Sequence, residues 1–182
     1  MTLIPPPQVG DYPEYAGAYL RWIPRDGQLL QHLRHNFRKV RRLVRTLYPD
    51  QLELRYAPGK WSIRETLVHL VDDERIYAYR ALCFARQEPA ELPGFDPDRY
   101  VAYAAAAERP LENIMAEYAA VRQSTIALFA SFSAAALARS GVASGHRATV
   151  AALGYHLAGH EVHHLNLVRT RYLGRRPVRP PV

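Results

Sequence analysis

The sequence predicts an all-α protein, an antiparallel four-helix bundle with extra short helices in the connections. Four long segments carry apolar residues at spacings of three and four, the periodicity of an amphipathic helix. The connections between them are about ten to twenty residues long, and no segment alternates as a half-buried strand does. With 182 residues the chain is long enough for one domain with a sizeable core. We therefore expect residues 1–182 to form a single domain whose core spans about residues 19–173.

The first long helix follows a lead-in, residues 1–23, which is rich in Pro, Gly and Tyr and includes a short helical turn at residues 15–22. Pro24 suits a helix entry because its φ angle is already fixed near the helical value. An apolar stripe then extends over about five turns, with arginines on the opposite face, and Pro49 ends the helix. The stripe consists of Leu29, Leu33, Phe37, Val40, Val44 and Leu47.

The second long helix has a recognisable start. Ser62 is placed as the N-cap and Glu65 completes a capping box with it, while Trp61 is placed for an apolar contact with the first turns. We expect this helix to run to about Arg86. A loop rich in proline, residues 87–98, follows it.

Two further long helices complete the predicted bundle. A short helix starts near Asp96 and runs to about Ala107, and Pro110 then lies near the first turn of the third long helix, which extends to about Phe132. Residues 133–139 form another short helix. The fourth long helix starts near Thr149 and runs to about Leu173, before a basic, proline-rich tail at residues 174–182.

Four of the eight histidines fall within nine residues of the last helix, from His156 to His164. Residues four apart lie about 40° apart on a helix, so His160 and His164 share the apolar stripe, with His156 and His163 toward its edge. Such an i,i+4 pair suits a divalent metal. A single buried histidine is more often a core residue bonded to a carbonyl, but a pair on a leucine stripe favours a metal site.

A third ligand must come from another helix, and His69 is the candidate. It borders the apolar stripe of the second helix, although it could equally be a surface histidine packed on Trp61 or Tyr77. Asp73 could orient a ligand or coordinate the ion, because metal-bound imidazoles usually donate their second N–H to a carboxylate or carbonyl. The competing interpretation of Asp73 and its acidic neighbours is a solvated helix face.

The net charge of +7 raises the possibility of nucleic-acid binding. No zinc-finger spacing or aromatic ribonucleoprotein motif accompanies the charge, so we interpret it as solvated helix faces and do not expect nucleic acid as a partner. One cysteine, Cys83, fits a reducing cytoplasm, and no apolar run is long enough to span a membrane. The basic residues concerned are Arg34, Arg38, Lys39, Arg41, Arg42, Arg45, Arg169, Arg171, Arg175, Arg176 and Arg179.

Three stretches together resemble the DinB-like family. Residues 56–65 with His69, Glu74 and Arg80 resemble the second helix of these proteins. The loop at residues 92–101 and the segment 159–164 are similar to the following loop and the closing motif of one branch. The similarity extends over roughly residues 19–172.

The resemblance implies a four-helix bundle with one divalent metal ion held by His69, His160 and His164, with His163 outside this triad. It also implies a homodimer and a small-molecule substrate. Imidazole ligands suit zinc or nickel first and iron next. Members include low-molecular-weight-thiol S-transferases and proteins described as metal-dependent hydrolases, so a small thiol is a possible second cofactor, and Arg80 is the candidate to bind its acidic groups.

Two functions remain open from the sequence. The first is a metal-dependent enzyme, either a hydrolase or a thiol S-transferase, in which Asp73 or Glu161 transfers protons. The second is a non-catalytic bundle whose ion pins two helices together. Three protein ligands leave one coordination position open, which favours the enzyme.

Overall fold

The structure is a computed structural model that describes residues 3–177 and 180–181. Its four long helices are accompanied by three shorter α-helices, one in the N-terminal lead-in and two in the connections, as predicted. The helices are α1 (Gly17–Leu20), α2 (Leu29–Val44), α3 (Ile63–Ala85), α4 (Pro97–Tyr103), α5 (Leu111–Ala130), α6 (Ala134–Ala138) and α7 (Val150–Leu167). A π-helical turn, Val168–Tyr172, continues α7. None of the helices in the described ranges is long and apolar enough to cross a membrane.

The predicted four-helix bundle is confirmed, but its helices do not simply alternate in direction. Helix α3 packs against α5 and α7, and α2 packs against the same two helices. Asn36 of α2 donates to the carbonyl of Ala158 on α7, and Thr46 just beyond α2 contacts Arg175 beyond α7, so α2 and α7 run in the same direction.

Helices α3 and α5 also run in the same direction. Near the starts of both helices, Arg64 of α3 donates to the carbonyl of Arg109, and further along both, Arg122 of α5 donates to Glu74 of α3. The long connections before α3 and α5 make these parallel neighbours possible.

Helix α3 begins where the sequence predicts. The Ser62 hydroxyl accepts from the Glu65 amide at 3.1 Å, and the Glu65 carboxylate accepts from the Ser62 amide at 2.7 Å. This capping box satisfies amides that would otherwise lack partners at the helix start. Helix α2 differs from the prediction, since it begins at Leu29 and not at Pro24. Gly27 has a φ of +76°, which turns the chain before the helix begins.

A β-hairpin that the sequence analysis did not predict precedes α7. Its strands, β1 (Ser140–Ala143) and β2 (His146–Thr149), pair antiparallel. Ser144 and Gly145 connect them with φ angles of +54° and +75°, as a two-residue hairpin turn of this kind requires. Four residues per strand are too few for an alternating pattern to stand out in the sequence.

The N-terminal segment packs tightly on α7 at Gly159. A Cβ atom at this position would lie 2.3 Å from the carbonyl oxygen of Tyr19. The absence of a side chain therefore allows the turn at Tyr19 to approach the histidine-bearing part of α7.

We expect Gly159→Ala to destabilise the protein by about 1–3 kcal/mol, since the backbone of α1 must move to relieve the clash. Thermal unfolding monitored by circular dichroism measures this. Gly17→Ala is the matched control, because Gly17 is helical and its nearest neighbour would be 3.8 Å from the added Cβ. Equal melting temperatures for Gly159→Ala and wild type would contradict the close packing.

Candidate metal centre

Three histidine side chains from two helices converge in the bundle. His160 Nε2 lies 3.0 Å from His164 Nε2 and 3.3 Å from His69 Nε2. His160 and His164 are one turn apart on α7, and His69 lies in the second turn of α3, which runs antiparallel to α7. His69 and His160 are buried, while His164 lies at the edge of the buried zone.

The spacing of these nitrogens fits one tetrahedral metal ion. With metal–nitrogen bonds of 2.0–2.1 Å, two ligands of a tetrahedral site lie about 3.3 Å apart. Hydrogen bonds alone explain the cluster poorly, because His160 Nε2 faces two other ring nitrogens and each neutral imidazole carries only one N–H. The donor set therefore suits a divalent ion such as zinc, nickel or iron.

Asp73 lies behind His160, one turn after His69 on α3. Its Oδ2 is 3.1 Å from His160 Nδ1, and the carboxylate is buried. Burial by itself raises the pKa of Asp73, but His160, and beyond it His156 and His69, hold that pKa at about 2. Asp73 is thus a buried carboxylate placed to orient a ligand imidazole, and not part of a solvated helix face.

Burial favours the neutral form of the histidines. Burial and then the neighbouring His160 lower the pKa of His69 to about 4, and the same two causes lower the pKa of His164 well below its usual value. Burial lowers the pKa of His156 to about 3 against the attraction of Asp73. A neutral imidazole is the form that ligates a metal.

Aromatic rings surround the histidines on two sides. The Trp61 ring lies 4.6 Å from the His69 ring and is stacked, at 6.3 Å, on that of His164. On the other side, the Tyr19 ring meets His160 edge-on at 5.2 Å. The sequence suggested Trp61 as a helix-start contact and as a residue on which His69 could pack, and the second contact is present, although His69 is buried and not on the surface. No periodic signal pointed to Tyr19, which lies outside the long helices.

An open cavity of about 590 Å³ reaches His164 from the surface. Asp98 is the carboxylate that lines it within the described part of the chain, and its Oδ1 accepts from Trp61 Nε1 at 2.9 Å. Asp98 was not predicted from the sequence, because one acid in the first turn of a short helix carries no periodic signal. The other lining residues are Tyr56, Gly59, Lys60, Trp61, Thr66, Leu167 and Tyr172.

Two predicted site residues lie apart from the three histidines. Glu161 is fully buried on another side of α7, where its carboxylate accepts from Tyr118 at 2.6 Å and from Arg122 at 3.0 Å. Arg80 lies about three turns along α3 from His69 and lines a different cavity. His163, which was expected outside the triad, is only half-buried, and its ring meets that of Tyr19 edge-on.

Comparisons with known proteins agree with this fold. A family model described as the DinB superfamily matches residues 32–168. Among solved structures, the chain is similar to YfiT from Bacillus subtilis, with a TM-score of 0.66 and 18% sequence identity over 84% of this chain and 89% of that one. YfiT is described as a probable metal-dependent hydrolase with an unusual four-helix bundle topology. A search of curated proteins found no significant match. Because the family model covers most of the chain, the protein belongs to the DinB superfamily.

Proposed function

We propose that His69, His160 and His164 hold one divalent metal ion and that the protein is a metal-dependent hydrolase of a small molecule. The observation that carries this proposal is the convergence of three Nε2 atoms beside an open cavity. His160 Nε2 lies 3.0 Å from His164 Nε2 and 3.3 Å from His69 Nε2. The description of YfiT as a probable metal-dependent hydrolase supports the same reaction class. Zinc or nickel is the first choice for the ion and iron the next.

Each part of the site has a role in this proposal. A divalent ion would act as a Lewis acid that polarises a carbonyl oxygen and lowers the pKa of water. Asp73, with its Oδ2 3.1 Å from His160 Nδ1, would accept the second N–H of the metal-bound His160 ring and so keep Nε2 toward the other two histidines. Trp61 forms one wall against His69, which limits the access of water to the buried ligands.

Asp98 is the residue to which we assign proton transfer in this reaction. Of the acids first considered, Asp73 is occupied at His160, and Glu161 is bound by Tyr118 and Arg122 away from the cavity. Asp98 faces the same cavity as His164 and is oriented by the Trp61 indole. A carboxylate held in one orientation can accept a proton from an attacking water and return it to the leaving group.

The proposal is tested by metal analysis followed by a substrate screen. Protein purified without a histidine tag is expected to contain about one equivalent of metal. The metal-loaded protein should then hydrolyse members of a panel of simple esters and amides, and chelation should abolish that hydrolysis.

Other outcomes of the screen point elsewhere. Turnover of electrophiles only with an added low-molecular-weight thiol would replace hydrolysis by thiol S-transfer. Bound metal without any turnover would favour the non-catalytic bundle with a structural ion. No metal after incubation with zinc, nickel and iron salts would refute the metal centre itself. The homodimer and the cytoplasmic location expected from the sequence stay predictions.

We expect Asp73→Asn to weaken metal binding by about 10- to 100-fold while the protein stays folded, because a neutral amide orients and polarises His160 less well. A competition titration with a chromophoric chelator measures the dissociation constant. Asp72→Asn is the matched control, since Asp72 is the adjacent residue of α3, is partly exposed, and lies 4.0 Å from Arg75. Similar losses in both variants would contradict a specific role for Asp73.

A further inference from the structure

Arg80 is a buried cation that forms no ion pair with a carboxylate of the described residues. The residue is 6% exposed, and no acid of the described residues forms an ion pair with it. Its Nη2 donates to the carbonyl of Pro93 at 3.1 Å, and its Nε has no hydrogen-bond partner among residues 3–177 and 180–181. Arginines buried to this degree are normally paired, since an unpaired buried charge is costly. An unsatisfied buried donor is rare enough to need an explanation, and a bound ion is one such explanation.

The guanidinium belongs to the wall of a cavity between the N-terminal segment, α3, the hairpin and α7. The cavity measures about 370 Å³, counting its opening to solvent. Its polar wall contains hydrogen-bond donors and no acidic residue within the described part of the chain. The lining residues with polar side chains are Tyr12, Tyr15, Tyr77, Arg80, His146 and His156.

Neighbouring rings hold Arg80 in place. Its Cζ atom lies 5.0 Å from the centre of the Tyr77 ring, and the Tyr77 ring is stacked on His156 at 4.1 Å with an interplanar angle of 3°. The hydrogen bond to Pro93 fixes the other side of the guanidinium. A planar cation that is oriented before binding loses little side-chain freedom when it binds an anion.

This cavity is separate from the candidate metal centre. It shares no lining residue with the cavity that reaches His164. The two sites adjoin at His156, which lines this cavity and whose ring is stacked on that of His160 at 5.5 Å; Asp73, His156 and His160 form a second group that could hold an ion. Because the two cavities share no lining residue, a ligand at Arg80 would not occupy the position that is open at His164.

We propose that Arg80 anchors a second binding site, which takes the carboxylate of a small molecule. A guanidinium presents parallel N–H donors that match the two oxygens of a carboxylate, and a bond between charged groups is stronger than one between neutral groups. The phenol and imidazole groups of the wall supply further donors. The carboxylate belongs either to a free small acid or to one end of a longer ligand that enters beside Tyr12 and Tyr15.

Binding of ¹³C-labelled formate to the full-length protein as purified tests the proposal. A saturable increase in the formate line width is expected, with a dissociation constant in the millimolar range, the tightest that so small a ligand supports. Arg80→Met should weaken this binding by at least about tenfold. Arg86→Met is the matched control, because Arg86 ends the same helix but is exposed and lies outside the cavity. Formate bound in the metal cavity would be insensitive to both substitutions, so the result is independent of the metal proposal.

Competition distinguishes the two sources of the carboxylate. If the site takes one end of a longer ligand, 3-phenylpropionate displaces labelled formate from wild type; if it takes only small acids, acetate displaces formate and 3-phenylpropionate does not. If Arg80→Met fails to fold, Ala152→Met replaces it, since Ala152 lines the cavity on α7 and the longer side chain fills it while Arg80 stays in place. Absence of saturable formate binding in wild type, or equal binding in folded Arg80→Met, would overturn the proposal.

Discussion

Replacing His160 by alanine is expected to remove the metal from the purified protein. His160 is the central member of the cluster, because its Nε2 lies 3.0 Å from His164 and 3.3 Å from His69 while its Nδ1 lies 3.1 Å from Asp73. The substitution deletes one ligand and leaves the other two without their common neighbour. The loss in metal affinity should be larger than the loss of about 10- to 100-fold that follows when a hydrogen-bond partner of a metal ligand is removed. The metal content of tag-free protein, measured by elemental analysis, should fall from about one equivalent in wild type to background in the variant.

His163→Ala is the matched control for this experiment. His163 lies on the same helix beside His164, is half-buried, and belongs to neither of the two groups that could hold an ion, His69/His160/His164 and Asp73/His156/His160. The control variant should keep the wild-type metal content and the wild-type helical circular dichroism spectrum. Retention of metal by folded His160→Ala, or equal loss in both variants, would mean that the ion binds elsewhere.

The histidine pair on α7 could be predicted from sequence because both residues lie on one helix. Residues four apart share a face whatever the rest of the fold does, so His160 and His164 required only a correct helix assignment. The position of His69 depends on how α3 packs against α7, and no spacing within α3 reveals that. The resemblance to a family supplied this tertiary information, and the structure places His69 Nε2 3.3 Å from His160 Nε2.

Other features depend on long-range packing and left no signal in the sequence. The apolar stripe of α2 predicts a buried face but not the direction of the partner helix, so the parallel pairing of α2 with α7 was not foreseen. Asp73 stayed open between orienting a metal ligand and lying on a solvated acidic face, and Glu74 was interpreted as part of that face, because the partners of the two residues lie on other helices, α7 and α5. Local patterns thus predicted the helices, while the short hairpin and the buried polar contacts between helices depend on the three-dimensional structure.

Arg122→Met is expected to destabilise the protein by about 3–5 kcal/mol, since it leaves two buried carboxylates without their common cation. Arg122 binds both oxygens of Glu74, each at 2.8 Å, and one oxygen of Glu161 at 3.0 Å. Its Nη1 also donates to the carbonyl of Leu33 at 2.5 Å, so one side chain on α5 connects to α2, α3 and α7. Urea unfolding followed by circular dichroism measures the change in the free energy of unfolding.

Arg75→Met provides the matched surface control. Arg75 also pairs with a glutamate, Glu117, but its side chain is 49% exposed, and exposed ion pairs contribute at most about 1 kcal/mol. A loss in Arg122→Met no larger than that in the control would show that the buried network contributes little.

A triple variant separates the need for a charge from the need for a filled core. Replacing Arg122 by Met together with Glu74→Met and Glu161→Met removes the unpaired carboxylates as well as the cation. Buried ion networks can often be replaced by apolar side chains of similar size at little cost, so the triple variant should be more stable than Arg122→Met alone. Glu74 and Glu161 are the sequence neighbours of Asp73 and His160, so the network also fixes α3 against α7 beside the three histidines. If the network aligns the histidines, the triple variant should recover stability yet bind metal more weakly than wild type. Metal affinity equal to that of wild type would show that the histidines align without the network.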